Sequence, residues 1–134
     1  MPRVEHIGLA TLYLGDCREI MPTLERPAAV ISDPPYGIDY SAQIEKTQER
    51  FGWRKHQQFE WDVQRPSTEF LIWLSDAADY VALWGGNYFA DALPPSMGWL
   101  IWDKCQTDFS LADVEMAWTN RWQAARRLRL PRAV

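Results

Sequence analysis

Cysteine and histidine are scarce in this chain of 134 residues, which has two of each. Cys17 and Cys105 are too few for the disulfide framework that holds small secreted domains together, so a reducing cytoplasm is the simplest home. His6 and His56 stand apart from each other and from both cysteines, no grouping has metal-ligand spacing, and no metal is expected. No stretch comes near the roughly 20 apolar residues of a membrane span, so no membrane partner is expected. The opening Met1-Pro2-Arg3-Val4-Glu5-His6 lacks the apolar segment behind a basic head that marks a secretory leader.

Positive charge is also in short supply. The net charge of −4 argues against broad electrostatic adhesion to nucleic acid. From Arg121 onward there are five arginines (121, 126, 127, 129 and 132) and no acid, a balance of +5, while the first 120 residues set nine basic residues against 18 acids, a balance of −9. Residues 121–134 therefore read as a basic tail on an acidic body, able to touch phosphates, or equally as a solvated helix face or an unfinished end. The chain does have apolar residues, at 47%, and eight tryptophans, enough for a globular chain with a modest core in one domain over 1–134. Tryptophan is more often core than a base-stacking platform, so its number alone says little about nucleic acid.

Short strand-like runs alternate with helical ones, which reads as α/β. Strands are expected at Ala10–Leu14, Ala28–Ser32, Tyr80–Trp84, Trp99–Trp102 and Val114–Trp118. Helices are expected from Cys17 to about Leu24 and after Ser67, a good cap, where Phe70, Leu71, Trp73, Leu74, Ala77 and Ala78 recur at helical spacing as one buried stripe. A further short helix should follow Gly85-Gly86-Asn87 as far as Ala92. Residues 37–66 show no period and mix glycine, charge and aromatics, the pattern of a functional or mobile loop. Within it Arg50, Arg54 and Lys55, interleaved with Phe51 and Trp53, suit a segment following DNA. Glu45, Glu49, Glu60 and Asp62 lie close by, and a solvated mixed-charge loop fits the same residues.

Asp33-Pro34-Pro35-Tyr36, at the end of the strand Ala28–Ser32, is the most informative motif. Each proline fixes φ near −65° and removes a backbone donor, so the Asp33 carboxylate and nearby carbonyl oxygens can face a planar amine without a competing N–H. Tyr36 adds an aromatic face. Strand, rigid acceptor turn and ring together suit a flipped-out nucleobase whose exocyclic amine is to be modified. A proline-rich turn after a buried strand is the plainer alternative.

The segments Leu12-Tyr13-Leu14-Gly15-Asp16-Cys17 and Ile31-Ser32-Asp33-Pro34-Pro35-Tyr36-Gly37-Ile38 resemble the opening of S-adenosylmethionine-dependent DNA amino-methyltransferases. The chain is most similar to the phage and prophage adenine-specific methylases of the permuted beta type, enzymes of DNA methylation and restriction-modification. Trp84-Gly85-Gly86-Asn87-Tyr88-Phe89, Gly98-Trp99-Leu100-Ile101-Trp102-Asp103-Lys104 and Glu115-Met116-Ala117-Trp118 extend the resemblance over almost the whole chain. The resemblance implies a Rossmann-like methyltransferase sheet with flanking helices, incomplete here. It implies double-stranded DNA as partner, S-adenosylmethionine as cofactor, and Asp33, Pro34, Pro35 and Tyr36 as catalytic residues. Adenine is the expected target because the motif opens with Asp, where cytosine-specific relatives more often have Ser.

The same resemblance places Asp16 and Cys17, with Asp33, beside the cofactor. Asp16 also reads as an ordinary helix cap. Lys104 could meet a phosphate or a carboxylate near the site, though a lone lysine after a strand is more often a solvated charge. In the family a further half supplies a Phe-x-Gly-x-Gly-like turn against the cofactor and strands lying between Ala10–Leu14 and Ala28–Ser32. Nothing here replaces that turn: Gly85-Gly86 lacks the spacing, and Gly15 and Gly37 stand alone. The expectation is thus a shortened methyltransferase domain whose activity alone stays open. Its first strand then needs another edge, stays loose, or pairs with a second chain, whether a homo-oligomer or a complementing chain. A ribosomal-RNA base methyltransferase and a non-catalytic DNA-binding or interaction fragment are the other readings. The permuted order and the Trp84 and Trp102 segments argue against the ribosomal one.

Overall fold

A computed structural model describes residues 1–39, 62–107 and 111–131. Strands β1 (Arg3–Ile7) and β2 (Ala10–Leu14) form an antiparallel hairpin. Its two-residue turn starts at Gly8 with φ 60°, a region that glycine enters without steric cost. Every residue of this hairpin is exposed, and it is a sheet of its own. Asp16 caps the short helix α1 (Cys17–Ile20), which runs into a 3₁₀ turn over Met21–Thr23. Strand β3 (Ala29–Ser32) follows.

After residues 40–61, helix α2 (Thr68–Ser75) begins where Ser67 accepts a hydrogen bond from the Phe70 N–H at 3.2 Å. Strand β4 (Tyr80–Trp84), a 3₁₀ turn at Gly86–Phe89, β5 (Leu100–Asp103), β6 (Val114–Thr119) and β7 (Arg126–Arg129) complete the order. Among the described residues the result is a mixed α/β architecture with few helices and a five-stranded mixed sheet, ordered β3-β4-β6-β5-β7. β3 lies parallel to β4, β6 runs antiparallel to β4 and β5, and β7 lies parallel to β5. Strands β3, β4, β5 and β7 therefore end on the same side of the sheet.

The core lies on β4. Val81, Ala82 and Leu83 are all buried, the pattern of a strand covered on both faces, which is why it reads as an unbroken apolar run. Leu71, Leu74, Ala78, Phe89, Leu93 and Trp118 pack into the same cluster. The stripe on α2 is narrower than its periodicity suggests: Leu71 and Leu74 face the core, while Trp73 is exposed and stacks on Phe70 with ring centroids 5.6 Å apart. Asn120 fastens the entry to β4, accepting from the Val81 N–H at 2.8 Å and donating to the Ala78 carbonyl at 3.2 Å. Two tryptophans hold loops by their ring N–H groups, Trp118 on the Pro94 carbonyl and Trp99 on the Ser96 carbonyl.

Two strands were not visible in the sequence. β1 alternates only weakly, and its identity rests on its partner β2. The stretch read as a basic tail contributes an edge strand, β7, whose Arg127 and Arg129 reach the Asp103 carboxylate at 3.9 and 3.3 Å. Backbone pairing with β5 and the Trp102 ring N–H bonded to the Leu130 carbonyl fix it there. The first strand, β2, finds its edge in β1. Among the described residues, no helix is long and apolar enough to cross a membrane.

Replacing fully buried Leu83 by Ala should lower the unfolding free energy by about 2–5 kcal/mol in chemical denaturation, through lost burial and the cavity left behind. Ile72→Ala, on the exposed face of α2, should stay within about 0.5 kcal/mol.

Candidate functional site

The motif after β3 is pinned at several points. Pro34 is buried and Asp33 is exposed at the strand's end. Neither proline has an N–H, so the next two backbone donors belong to Tyr36 and Gly37, and one side chain takes both. Asp62, only 4% exposed, accepts from the Tyr36 N–H at 2.7 Å and the Gly37 N–H at 3.1 Å. Gly37 has φ 71°, and a Cβ there would fall 2.8 Å from the Arg65 backbone nitrogen, so a side chain would push the two segments apart.

The Tyr36 hydroxyl donates to Asp33 Oδ1 at 2.5 Å. Burial of the phenol, then its bond to Asp33, pushes its pKa above the usual tyrosine range, so it stays protonated and remains a donor. Its ring stacks on Tyr88, centroids 4.6 Å apart and planes at 17°, with Phe89 edge-on at 6.1 Å. The ring also lies against the backbone that follows β4. Gly85 has φ 72°, and a Cβ on it would stand 2.0 Å from Tyr36 Cε1. Only glycine allows the turns after the two parallel strands to close on each other.

A groove of about 600 Å³ runs along β3, lined among others by Cys17, Met21, Val30, Ile31, Asp33 and Phe70. It opens toward the carboxyl end of β3, the usual place for a ligand in an open sheet with parallel strands. Two cations on its lining are already met. Arg18 is bound to the Asp16 carboxylate, with its Nε 3.0 Å from each oxygen. Arg65 forms a fork on Asp91 at 2.8 and 2.9 Å and also donates to the Tyr88 carbonyl at 2.9 Å.

Of the residues singled out from the sequence, Asp33, Pro34, Pro35 and Cys17 line the groove together. Tyr36 turns from it to Tyr88, so one ring face is already covered. Asp16 acts as the cap of α1, accepting from the Arg18 N–H at 2.9 Å, and the Arg18 guanidinium, then that backbone bond, holds its carboxyl down from 3.8 to about 2. Lys104 is only 6% exposed and bonded to Glu115 at 2.6 Å, so its charge is met inside the protein rather than offered to a phosphate or to solvent. Arg50, Arg54 and Lys55 lie outside the described residues. No group of acids, histidines and cysteines suited to a metal occurs among the described residues.

Three participants were not anticipated. Asp62 sits in a stretch without periodicity, and no local signal announces its bond to a turn 25 residues away. Tyr88 and Arg65 owe their places to tertiary packing. The Gly85-Gly86 pair was visible, but as the close of a strand rather than as the seat of Tyr36. In comparisons with known proteins, no family model, curated protein or solved structure matches this chain.

Three substitutions probe the site. Gly85→Ala should cost about 1–3 kcal/mol from left-handed backbone strain alone and displace Tyr36, seen as loss of its near-ultraviolet dichroism. Asp62→Ala should cost about 1–3 kcal/mol by leaving two turn N–H groups without their acceptor. Because the folded carboxyl of Asp16 titrates below its unfolded value, the cap is complete above about pH 4 and fades as the pH falls toward 2. Carbon-detected NMR titration should place the Asp16 midpoint near 2 and return it toward 3.8 in Arg18→Ala.

Proposed function

We propose that this chain is an amino-methyltransferase of DNA bases, with the N6 amine of a flipped-out adenine as acceptor. The observation carrying the proposal is the exposed Asp33 carboxylate, fixed by the Tyr36 hydroxyl at 2.5 Å on a turn without proline N–H groups, at the carboxyl end of β3. The adenine amine is a weak nucleophile because its lone pair is shared with the ring. An N–H bonded to the remaining oxygen of Asp33 draws electron density back to that nitrogen and favours a pyramidal geometry. Asp33 thus acts as acceptor and positioning charge, the kind of preorganised electrostatics that lowers a displacement barrier. Tyr36 orients it and stays protonated.

The aromatic wall of Tyr36 and half-exposed Tyr88 offers ring surface to a base, an interaction worth about 1–3 kcal/mol in sites that bind single strands. The parallel pair β3 and β4, with α2 between them in sequence and the site at their carboxyl ends, supports reading the sheet as Rossmann-like. Double-stranded DNA as partner and the cytoplasm as location belong to the same proposal.

S-adenosylmethionine is the methyl donor the resemblance implies, and it would supply the methyl group. The described residues do not make a cradle for it. No glycine lines the groove, and the Asp16 carboxylate is held by Arg18 instead of facing an adenosine. That observation favours a second reading, a DNA-binding or interaction protein that keeps the base-facing turn without turnover.

Incubation of the chain with duplex DNA and S-adenosylmethionine labelled in the methyl group distinguishes the two. The enzyme reading expects label in N6-methyladenine, and an absence of label at every protein concentration rejects it for this chain. In the active preparation, Asp33→Ala should reduce transfer by roughly 100-fold or more. Tyr36→Phe, which removes one bond to a charged group, should reduce it by roughly 10- to 100-fold.

A further inference from the structure

The two outer strands of the five-stranded sheet are protected unequally. β7 carries Arg126, Arg127 and Arg129, the charged side chains with which natural edge strands discourage pairing. β3, Ala29-Val30-Ile31-Ser32, carries no charge, and its Ile31 is 70% exposed. The groove beside it holds about 600 Å³. Strand rise, interstrand spacing and sheet separation allot roughly 160 Å³ to each residue of a packed strand, so the groove has room for about four residues. That is the length of β3 itself.

Elsewhere on the same molecule is a strand without a cover. Hairpin β1–β2 exposes Val4, Ile7, Leu9, Leu12 and Leu14, and among the described residues it belongs to no larger sheet. A lone two-stranded hairpin is marginally stable in water. Its inner strand, Ala10-Thr11-Leu12-Tyr13-Leu14, has five residues, no charge and one edge not paired with β1. β1 holds all the charged residues of the pair, Arg3 and Glu5. Arg18 and Arg65 on the groove lining already have Asp16 and Asp91 as partners, so neither calls for an acidic occupant.

We infer that two copies of this chain associate by exchanging hairpins, β2 of each copy adding as a strand along β3 of the other. The exchange is reciprocal, so one twofold axis closes it and leaves neither groove nor hairpin over. Main-chain bonds along β3 supply the register, and the exposed side chains of β2, Leu12 and Leu14 on one face and Tyr13 on the other, cover Val30 and Ile31, which alternate in the same way. The hairpin would occupy the groove that Asp33, Pro34 and Pro35 line, so the dimer and the transfer proposal compete for one site, and sedimentation reads the first while the methyl label reads the second.

Sedimentation equilibrium of the purified chain tests it. A mass of twice 15.6 kDa is expected, and a monomer at the highest concentration reached overturns the inference. Ile31→Lys damages only the groove edge and Leu12→Lys only the hairpin, both at exposed positions where the fold tolerates lysine. Each variant alone should sediment as a monomer with an unchanged circular dichroism spectrum. Mixed in equal amounts, they should form a heterodimer, because the hairpin of Ile31→Lys and the groove of Leu12→Lys are both intact. If the wild type dimerises but the mixture stays monomeric, hairpin exchange is wrong and the dimer uses another surface.

Discussion

The closure of two turns on each other governs the arrangement of this protein. One turn follows β3 and carries Asp33 to Tyr36; the other follows β4 and carries Gly85 to Tyr88. Tyr36 stacks on Tyr88 and rests where any Cβ at Gly85 would be, so the turns share a steric constraint that neither strand could impose alone. Asp62 adds the electrostatic half, a buried carboxylate that accepts from two backbone N–H groups of the turn. Because Pro34 and Pro35 have no N–H, the first donors the turn can offer the carboxylate are those of Tyr36 and Gly37. The sequence of the motif therefore specifies its support as well as its chemistry.

Charge is used in two ways in the same sheet. At the β7 edge, exposed arginines meet a half-buried Asp103 at 3.9 and 3.3 Å, pairs that are individually weak and screened by salt. Beneath the surface Lys104 meets Glu115 at 2.6 Å, with Trp102 5.6 Å from the ammonium. Glu115 in turn is one of the charges that keep the Tyr36 phenol protonated. The end of the sheet where the strands after β3, β4 and β5 emerge is thus electrostatically connected, from Lys104 through Glu115 to Tyr36 and Asp33.

Strands whose burial is simple were readable from the residues. β4 is an uninterrupted apolar run because both its faces are covered, and β2 and β6 were placed almost to the residue. The cap at Ser67 was legible because a single hydroxyl before a helical stripe has a local purpose. β7 was not legible: an arginine-rich strand looks like a solvated tail until its backbone finds β5. Periodicity overstated the inner face of α2, since Trp73 recurs at the right spacing but its ring lies outside on Phe70. In the site, Asp33 was visible by its motif, whereas Asp62 was hidden because its role depends entirely on tertiary approach.

The bracket that Asn120 forms on β4 has a consequence for biosynthesis. The residue that satisfies the Val81 N–H is 39 positions further along the chain, and β6, the neighbour of β4, lies just before it. A polypeptide emerging from the ribosome has β3 and α2 available when Val81, Ala82 and Leu83 appear, but β6 and Asn120 complete the cover only later. Such a distant partner adds loop-closure entropy, which slows the completion of this part of the sheet. During that interval the most apolar strand of the protein is available to a holding chaperone, or to another nascent copy.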